Sequence, residues 1–570
     1  MRIERRPVVE TTMEWPDSIH PVLRRVYTAR GVTRIEQIEH RLTSLMSPKL
    51  LGGIERACEL IEEAIRDDRR IVVVGDFDAD GATGTAVAVR GLRMLGAQRV
   101  DYAVPNRFIH GYGLSAAIVA ELAPIKPHLI ITVDNGIVAH AGVAAARALG
   151  MHVIVTDHHL PAATLPDADA IVNPNVGGDE FPSKALAGVG VMFYLLLAVR
   201  AHLRERGGFA KNAEPDLSAL LDLVALGTVA DLVPLDDNNR VLVDAGIRRI
   251  RARRGCAGIE ALIEVSKRDP KRIVASDLGF AIAPRINAAG RLDDMRIGIE
   301  CLLTDDASSA RQLAETLSSI NSERQGMQAA MVEQAEVAVS AWMKREGGAL
   351  PCGVVLFDES WHHGIVGLVA SKLKDALQRP VIACAPAENG EVKASGRSIT
   401  GFHLRDALAE IDARRPGLFH RFGGHAMAAG LTIHRDDLET LALLFGDVAR
   451  ERIAPELFDA VLLSDGELCG DDFKLELAEQ LRFGGPWGQA FPEPVFDGTF
   501  VVQNWRAMGE SHLRFDLRCD GFRTPLEAVM FNCYAGVAPP DRFRAAYSLD
   551  INEWNGARKL RLLLRHFEAV

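Results

Sequence analysis

The sequence lacks the features of secreted and membrane proteins. Its eight cysteines form no CxxC pair and show no zinc-like spacing, and scattered thiols of this kind fit a reducing compartment. The first ten residues, MRIERRPVVE, contain no apolar segment typical of a signal peptide. No uncharged run of about 18 apolar residues occurs, so no membrane span is expected. Together these absences predict a cytoplasmic protein.

Aromatic residues and net positive charge are also scarce. Aromatic residues make up 6% of the chain, and 65 Lys and Arg face 76 Asp and Glu, for a net charge of −11. A uniformly basic nucleic-acid coat is therefore excluded, whereas a local basic groove is not. The 570 residues are 48% hydrophobic and 25% charged, which is typical of globular protein with about three or four domains.

The distribution of apolar residues predicts the fold class. Four Val- and Ile-rich segments alternate with helical ones, which is typical of a parallel sheet covered by helices. The Pro-free segment 306–345 has apolar residues at near-helical spacing and predicts one long helix. A second α/β pattern follows it, and short alternating strands beyond about residue 460 predict a small β-barrel or sandwich. The four sheet-forming segments lie at 71–75, 100–105, 128–134 and 151–157.

We therefore predict two α/β domains joined by a long helix, plus a C-terminal β-barrel. The predicted segments are an N-terminal leader or lid at 1–50, a parallel-sheet domain at 51–305, a connecting helix at 306–346, a second α/β domain at 347–455 and a β domain at 456–570.

Acidic residues and histidines follow three successive strands of the predicted sheet. Because the carboxyl ends of parallel strands share one edge, these side chains should converge there. They are Asp76, Asp78, Asp80, Asp134, Asp157, His158 and His159, with Asp231 after a later helix. So many carboxylates in one cleft require a counter-charge, since their pKa values would otherwise rise. Mixed carboxylate and imidazole ligands suit Mn²⁺ or Mg²⁺, and two such ions can catalyse attack of water on a phosphodiester.

Each of these motifs also has an alternative interpretation, but none of the alternatives explains all of the motifs together. The DFDADG segment is also similar to a calcium loop, but the twelfth position counted from Asp76 is Val87 rather than Glu. A solvated acidic turn explains one strand end but not three. A hydrogen-bonded core position would explain His159 alone. Because adjacent side chains cannot both point the same way, we expect different roles for His158 and His159.

At these residues the chain resembles the DHH phosphoesterase superfamily and, within it, the RecJ family of single-stranded-DNA exonucleases. A later segment, GPWGQAFPEPVF (485–496), is similar to the start of that family's oligonucleotide-binding barrel. The resemblance spans nearly the whole chain and implies a DHH domain, a DHH-associated domain and an OB-like barrel. The ordered motifs are DFDADG (76–81), VPNR (104–107), VDNG (133–136), TDHH (156–159), GTVADLVPL (227–235), PRINAAGR (284–291), WHHGIVG (361–367), ASGRS (394–398) and GGHAMAAG (423–430).

The resemblance implies a hydrolase that removes nucleotides from the 5′ end of single-stranded DNA, in DNA repair and recombination, with two Mn²⁺ or Mg²⁺ ions. Asp157 and His159 would support the ligands or contact phosphate, and His159 would stabilise charge or protonate the leaving oxygen. Arg285 would contact the substrate backbone, while Asn287 and Arg291 would do the same or brace their loop. The implied ligands are Asp76, Asp78 and Asp134 for one ion, and Asp80, Asp134, His158 and Asp231 for the other.

The resemblance also implies a pocket for the 5′-terminal phosphate, made of Arg107, Ser395 and Arg397. A guanidinium fork and a hydroxyl suit a phosphate, although an ordinary surface Arg or a turn Ser would look the same in the sequence. The pocket would set the cleavage position from the 5′ end.

Weaker candidates for DNA contacts are His362, His425, Trp505 and Trp554. We expect His425 in a Gly-rich turn that enters a helix, whose N-terminus would bind phosphate; a close-packed Gly/Ala helix is the alternative. The two Trp side chains, interleaved with Arg558, Lys559 and Arg561, would stack bases or pack in the core. The arginine run 248–254 would steer DNA or form a solvated helix end.

The expected partners, implied by the resemblance, are single-stranded DNA, a helicase and a single-strand-binding protein, and the chain is expected to be a monomer. Three rival functions share part of the pattern. Phosphodiesterases of short oligonucleotides or cyclic dinucleotides are usually built without the terminal β domain. A non-catalytic binding relative would have lost metal ligands that are all present here. A pyrophosphatase has no use for a barrel with paired rings and cations.

Overall fold

The computed structural model describes residues 1–8, 12–106, 110–209, 213–345, 350–519, 524–534, 536–554 and 556–570, with only the backbone of Arg345 and Trp554. These residues form two compact units. One unit contains Met1–Glu4 and Ser322–Leu462, and the other contains Arg5–Asn321 and Leu463–Val570.

The described residues among the first 303 form six strands and thirteen α-helices. The strands are β1 (Arg2–Arg5), β2 (Ile71–Val74), β3 (Val100–Ala103), β4 (Leu129–Val133), β5 (His152–Thr156) and β6 (Ala170–Val172). The helices are α1 (Pro21–Thr28), α2 (Glu36–Glu39), α3 (Ile54–Arg66), α4 (Ala79–Met94), α5 (Ala116–Leu122), α6 (His140–Ala148), α7 (Gly188–Glu205), α8 (Leu221–Ala230), α9 (Asp237–Arg251), α10 (Ala257–Val265), α11 (Ala275–Asp277), α12 (Ala283–Leu292) and α13 (Arg296–Leu303).

Strands β2 to β6 form one sheet in the order β3-β2-β4-β5-β6. Every pair in it is parallel, with Ile71 opposite both Val100 and Leu129. All four residues of β2 and all five of β4 are buried. Such continuous Val and Ile runs are needed when helices cover both faces of a parallel sheet. The predicted parallel sheet is confirmed, and the carboxyl ends of its strands share one edge.

A 39-residue helix, α14 (Ala307–Arg345), follows and confirms the predicted long helix. The division between the two units falls within it, after Asn321. The next elements are β7 (Val354–Phe357), α15 (Val366–Leu377), β8 (Val381–Pro386), β9 (Glu391–Arg397), α16 (Leu404–Arg414), β10 (Phe419–Gly424), β11 (Ala428–His434), α17 (Leu438–Arg452) and β12 (Val461–Ser464).

Strands β7 to β11 form a second, mixed sheet in the order β10-β11-β9-β8-β7. The prediction of a helix at GGHAMAAG is wrong. These residues end β10 and begin β11 in an antiparallel hairpin, with Gly423 opposite Gly430. Gly and Ala alone do not distinguish helix from strand. Alternate burial of Ala429, Leu431 and Ile433 shows that β11 is held by its period-two pairing with β9.

The C-terminal strands close into a barrel in the order β13-β14-β15-β17-β16, which confirms the predicted β-barrel. Phe496, Phe500, Phe515, Phe543 and Tyr547 fill its buried interior. The elements are α18 (Leu475–Phe483), β13 (Phe496–Met508), β14 (His512–Arg518), β15 (Leu526–Met530), β16 (Arg542–Trp554) and β17 (Ala557–Ala569).

The segment predicted as a leader or lid contributes to the core of the larger unit. The Tyr27 ring of α1 stacks on Trp487 at 5.8 Å, and its hydroxyl donates to Gly484 O at 2.7 Å. Arg30 makes a buried, two-bond ion pair with Asp465. These contacts join the N-terminal helix to the segment that precedes the barrel. Among the described helices, none is long and apolar enough to cross a membrane.

Candidate active site

The side chains at the strand ends of the parallel sheet converge as the sheet topology predicts. Three overlapping groups each offer ligand atoms that lie within 4.8 Å of one another. His158 Nε2 lies 3.0 Å from Asp134 Oδ1 and 3.4 Å from Asp231 Oδ2. The groups are Asp76, Asp78 and Asp134; Asp80, His158 and Asp231; and Asp134, His158 and His159. Two of the groups consist of residues from the implied ligand sets, and the third adds His159; the assignment of ligands to each ion stays a prediction.

Asp134 belongs to two of these groups, and His158 joins the third group to them. It adopts a left-handed backbone conformation (φ 62°), which is strained for a residue with a Cβ. Its side chain is buried, and among the described atoms its Oδ1 accepts no hydrogen bond. A buried carboxylate oxygen without a donor is costly unless a cation neutralises it.

Asp80 is held by the N-terminus of α7. Its two carboxylate oxygens accept hydrogen bonds from the backbone N–H groups of Gly188 (2.6 Å) and Val189 (2.9 Å). The close approach requires glycine, because a Cβ on Gly188 would come 2.4 Å from Asp134 Cβ. Burial, followed by the negative charge of Asp78, raises the pKa of Asp80 to about 7.

The DFDADG loop is braced from α12, at the PRINAAGR motif. Asn287 Oδ1 accepts a hydrogen bond from Ala79 N at 2.9 Å, so Asn287 braces the ligand loop. PRINAAGR itself was expected to be a loop, and this expectation is wrong, since residues 283–292 are helical. Asp78 caps α4 by accepting from Gly81 N at 3.0 Å. Helix α12 thereby holds the loop that presents three of the carboxylates.

Asp157 orients His159 rather than joining any of the three groups of ligand atoms. Its Oδ1 accepts from the backbone N–H groups of His158 and His159 and from His159 Nδ1 (2.7 Å), and its Oδ2 accepts from Ile137 N. Burial alone would lower the pKa of His159, but the hydrogen bond to Asp157 holds it above the usual value. His158 thus pairs with Asp134 and Asp231, whereas His159 is held by Asp157 and lies 3.9 Å from Asp134 Oδ1; separate roles for the two stay a prediction.

The charge of the cluster fits divalent cations. Burial and the surrounding carboxylates, first Asp80 and then Asp78, raise the pKa values of Asp134 and Asp231 well above the usual range. The donor set of carboxylate oxygens and imidazole nitrogen is one that Mn²⁺ and Mg²⁺ accept. The buried Asp134 Oδ1, which accepts no hydrogen bond among the described atoms and faces His158 Nε2 at 3.0 Å, fits a two-metal centre, as does this donor set.

Comparison with known proteins identifies the family. Three family models match: the DHH family N-terminal domain at residues 70–228, the DHHA1 domain at 350–451 and the RecJ OB domain at 464–566. The single-stranded-DNA-specific exonuclease RecJ of Dickeya dadantii is 50% identical, over 99% of this chain and 98% of its own length. This chain belongs to the RecJ family.

Two further relatives support the same conclusion. The RecJ exonuclease of Escherichia coli is 47% identical over 98% of both chains. The crystal structure of RecJ in complex with Mn²⁺ from Thermus thermophilus matches all of this chain and 79% of that one, with 30% identity and a TM-score of 0.81. The expected fold of DHH domain, DHH-associated domain and OB-like barrel is confirmed.

The residues implied for the RecJ-type phosphate pocket are described only in part. Arg107 lies outside the described residues. Ser395 and Arg397 point to the same face of β9 and lie against Gly367 of α15, where a Cβ would come 2.9 Å from Arg397 Nη2 and 3.5 Å from Ser395 Cβ. The ASGRS and WHHGIVG motifs therefore meet at the N-terminal turn of a helix. Burial lowers the pKa of Arg397.

The histidines of the WHHGIVG and GGHAMAAG motifs lie in two places of the smaller unit. His362 and His363 stack at 5.0 Å just before α15, and His362 Nδ1 accepts from Gly364 N. His425 lies in the turn of the β10–β11 hairpin, where its N–H donates to Ala428 O at 2.8 Å. The helix N-terminus proposed for a phosphate contact at His425 is absent, because its turn joins two strands.

Arg285 contacts residues outside the carboxylate cluster. Its Nε lies 3.4 Å from Ser318 Oγ of α14, and its Nη1 donates to Ala281 O. It follows a π-helix (Leu278–Ile282), a form that often marks functional sites. A role of Arg285 at the substrate stays a prediction.

Several predicted DNA contacts make contacts within the protein. Trp505 is half-buried beside Tyr534 at 6.1 Å, and the Trp554 side chain lies outside the described residues. In the barrel, Arg558 pairs with Glu479 and Glu553, and Arg561 pairs with Asp550. In the 248–254 run, most side chains bind backbone oxygens or acids; the pairs are Arg248 with Asp244 and His40, Arg249 with Arg254, Arg251 with Ile273, and Arg253 with Glu260.

Sequence reasoning missed three residues that support the DHH motif. Asn175 donates to His158 O at 2.6 Å and Asn173 donates to His159 O at 2.9 Å. Both follow β6, which is the last of the five strands of the parallel sheet along the chain. Looking for polar residues at the end of this strand as well would have found them. Tyr112 contacts the site from the loop before α5, and it lies between the VPNR and VDNG motifs rather than within either.

Proposed function

We propose that this protein is a single-stranded-DNA-specific exonuclease that hydrolyses phosphodiester bonds from the 5′ end, in DNA repair and recombination. The observation that carries the proposal is that three ligand groups are joined through Asp134 and His158, in a chain of the RecJ family. We propose Asp76, Asp78 and Asp134 as ligands of one Mn²⁺ or Mg²⁺ ion, and Asp80, Asp134, His158 and Asp231 as ligands of a second.

The protein's own groups have separate tasks in this proposal. A bound pair of divalent cations supplies Lewis acidity for the attack of water on the phosphorus. Asp157 holds the His159 ring by its Nδ1 proton, which leaves Nε2 for the substrate. His159 then stabilises charge on the phosphate or gives a proton to the leaving 3′ oxygen. Arg285 is proposed as a contact to the DNA backbone.

Direction is proposed to come from a pocket for the 5′ phosphate. Its parts are Arg107, Ser395 and Arg397, and support comes from the close contact of Ser395 and Arg397 with Gly367 in the first turn of α15. A test compares 5′-phosphorylated with 5′-hydroxyl strands. Arg397→Ala should raise KM for the phosphorylated strand and leave the hydroxyl strand unchanged. Arg405→Ala, an exposed position of α16, is the matched control.

We also propose weaker DNA contacts for His362, His425, Trp505 and Trp554. A monomer in the cytoplasm, working with a helicase and a single-strand-binding protein, is our proposal for the cellular setting. The support for a reducing compartment is that none of the eight cysteines, all of them in the described part of the chain, forms a disulfide. The five-segment domain division also remains a proposal.

The deciding experiment follows the degradation of 3′-labelled single-stranded DNA that carries a 5′ phosphate, with Mn²⁺ or Mg²⁺. A shortening ladder that keeps its label, with blunt duplex and 5′-blocked strands intact, establishes a 5′-end exonuclease. Asp134→Ala should be inactive, whereas Asp305→Asn, an exposed acid in the same unit, should match the wild type.

Two results would replace the proposal. Cleavage of a dinucleotide alone would indicate a phosphodiesterase of short oligonucleotides. Binding of the strand without cleavage, in the presence of either metal, would indicate a non-catalytic single-strand-binding protein.

A further inference from the structure

Tyr112 contacts all three strand-end loops that carry the candidate ligands. Its ring meets Phe77, after β2, edge-on at 6.0 Å, and meets His159, after β5, edge-on at 6.1 Å. Its hydroxyl donates to Asp134 O, after β4, at 3.1 Å and lies 3.5 Å from His159 Nδ1. One side chain therefore sits where the DFDADG, VDNG and TDHH loops meet.

The backbone of Asp134 needs such support. A residue with a Cβ holds a left-handed conformation only when its surroundings impose it. Asp134 N donates to Thr156 O at 3.1 Å, which fixes one side of the residue. The hydroxyl of Tyr112 binds the carbonyl on the other side. Without that hydrogen bond, the peptide after Asp134 has one anchor fewer.

The loop that carries Tyr112 is itself tied to the sheet. Leu114 N donates to Asn135 Oδ1 at 3.2 Å, and the Asn135 amide donates to Val74 O and Val133 O. Gly113, with φ 66°, allows the turn that brings Tyr112 over the strand ends. The position of Tyr112 is therefore fixed relative to the ends of β2 and β4, where the candidate ligands begin.

We propose that Tyr112 is a positioning residue, whose hydroxyl and ring hold Asp134, the proposed ligand of both metal ions, and His159 beside it. The proposal rests on the proposed function, because Tyr112 acts through the proposed metal pair. It predicts that the hydroxyl matters for metal affinity, while the affinity for DNA does not depend on it.

The test compares Tyr112→Phe with wild type in the full chain. Mn²⁺ binding is measured by calorimetry, and the coupling of the two bound ions by electron paramagnetic resonance. Loss of groups that support metal ligands weakens affinity by about 10- to 100-fold, and we expect the lower end of this range. The kcat should fall at low Mn²⁺ and recover at high Mn²⁺, with KM for DNA unchanged. Tyr112→Leu, which also removes the ring, should lose the spin-coupled signal.

Tyr102→Phe is the matched control, because it removes a hydroxyl bonded to Glu300 in the same unit, away from the ligand loops. Its Mn²⁺ affinity should equal that of the wild type. Wild-type affinity in Tyr112→Phe would overturn the inference, as would a change in KM for DNA alone. If the wild type binds no Mn²⁺, the proposed function fails and the inference falls with it. Should Tyr112→Leu not fold, the Phe variant decides.

Discussion

Gly290 of α12 lies directly against the backbone carbonyl of Phe77, so closely that a Cβ on Gly290 would come 1.9 Å from that oxygen. Three residues earlier on the same helix, Asn287 accepts a hydrogen bond from Ala79 N. Helix α12 thus contacts the DFDADG loop at Phe77 and at Ala79, the residues on either side of Asp78. The PRINAAGR motif is therefore tied to the metal ligands through the backbone.

Gly290→Ala should separate α12 from the ligand loop. The added Cβ meets a backbone atom that cannot rotate away, so we expect a loss of about 1–3 kcal/mol in the free energy of unfolding and much reduced nuclease activity. Gly326→Ala is the control, because Gly326 lies within α14 and, apart from the nearby backbone of that helix, no atom of the described residues comes within 4 Å of its ideal Cβ. It should stabilise by about 0.4–1 kcal/mol. Equal melting temperatures for the two variants would contradict the prediction.

Asp134→Asn should abolish activity and also change how metal affects stability. In the wild type, Mn²⁺ relieves repulsion among buried carboxylates, so saturating Mn²⁺ should raise Tm by roughly 2–5 °C. The Asn variant should lose this shift. Without metal, it should be at least as stable as the wild type, because one buried charge is removed. Thermal unfolding with EDTA and with Mn²⁺ measures both effects, and a full Mn²⁺ shift in the variant would refute the role of Asp134.

Asp157→Asn should impair the chemical step more than DNA binding. The carboxylate holds His159 by a 2.7 Å hydrogen bond, and a misoriented acid catalyst typically costs about 10²-fold or more in rate. We therefore expect kcat to fall by roughly 10² with little change in KM. Asp169→Asn is the matched control, since Asp169 pairs with His152 at the opposite end of the same strand. The prediction fails if both variants lose the same activity.

His40 should make stability depend on pH. Burial, together with Arg240 and Arg248, lowers the pKa of His40 to about 4 in the folded protein, against an ordinary value of 6.5. The unfolded chain therefore binds a proton first, so stability is lost as pH falls from about 6.5 to 4, by up to about 3 kcal/mol. The free energy of unfolding, measured by urea unfolding at several pH values in this range, should depend less steeply on pH in His40→Gln than in the wild type. An unchanged slope would assign the pH dependence to other groups.

Local sequence was sufficient where the chain has a strong period or a strand end. The Val and Ile runs of β2 and β4 can only be buried strands, and the acids that follow them must lie at one edge. It was insufficient at GGHAMAAG, where small residues fit helix or strand and only pairing with β9 decided the outcome. At 284–291, an early Pro and a Gly concealed a helix, although Pro is tolerated in the first turn.

By itself the sequence determined the order of the domains and of most elements, and the set of acidic residues at the strand ends, because periodicity and strand ends are local properties of the chain. Only the tertiary structure decided which groups support them. Tyr112, Asn173, Asn175 and Gly188 reach the site from separate loops and a helix end. Their contacts join residues distant along the chain, and the tight fit of Gly188 against Asp134 or Gly290 against Phe77 exists only once the helices pack on the sheet.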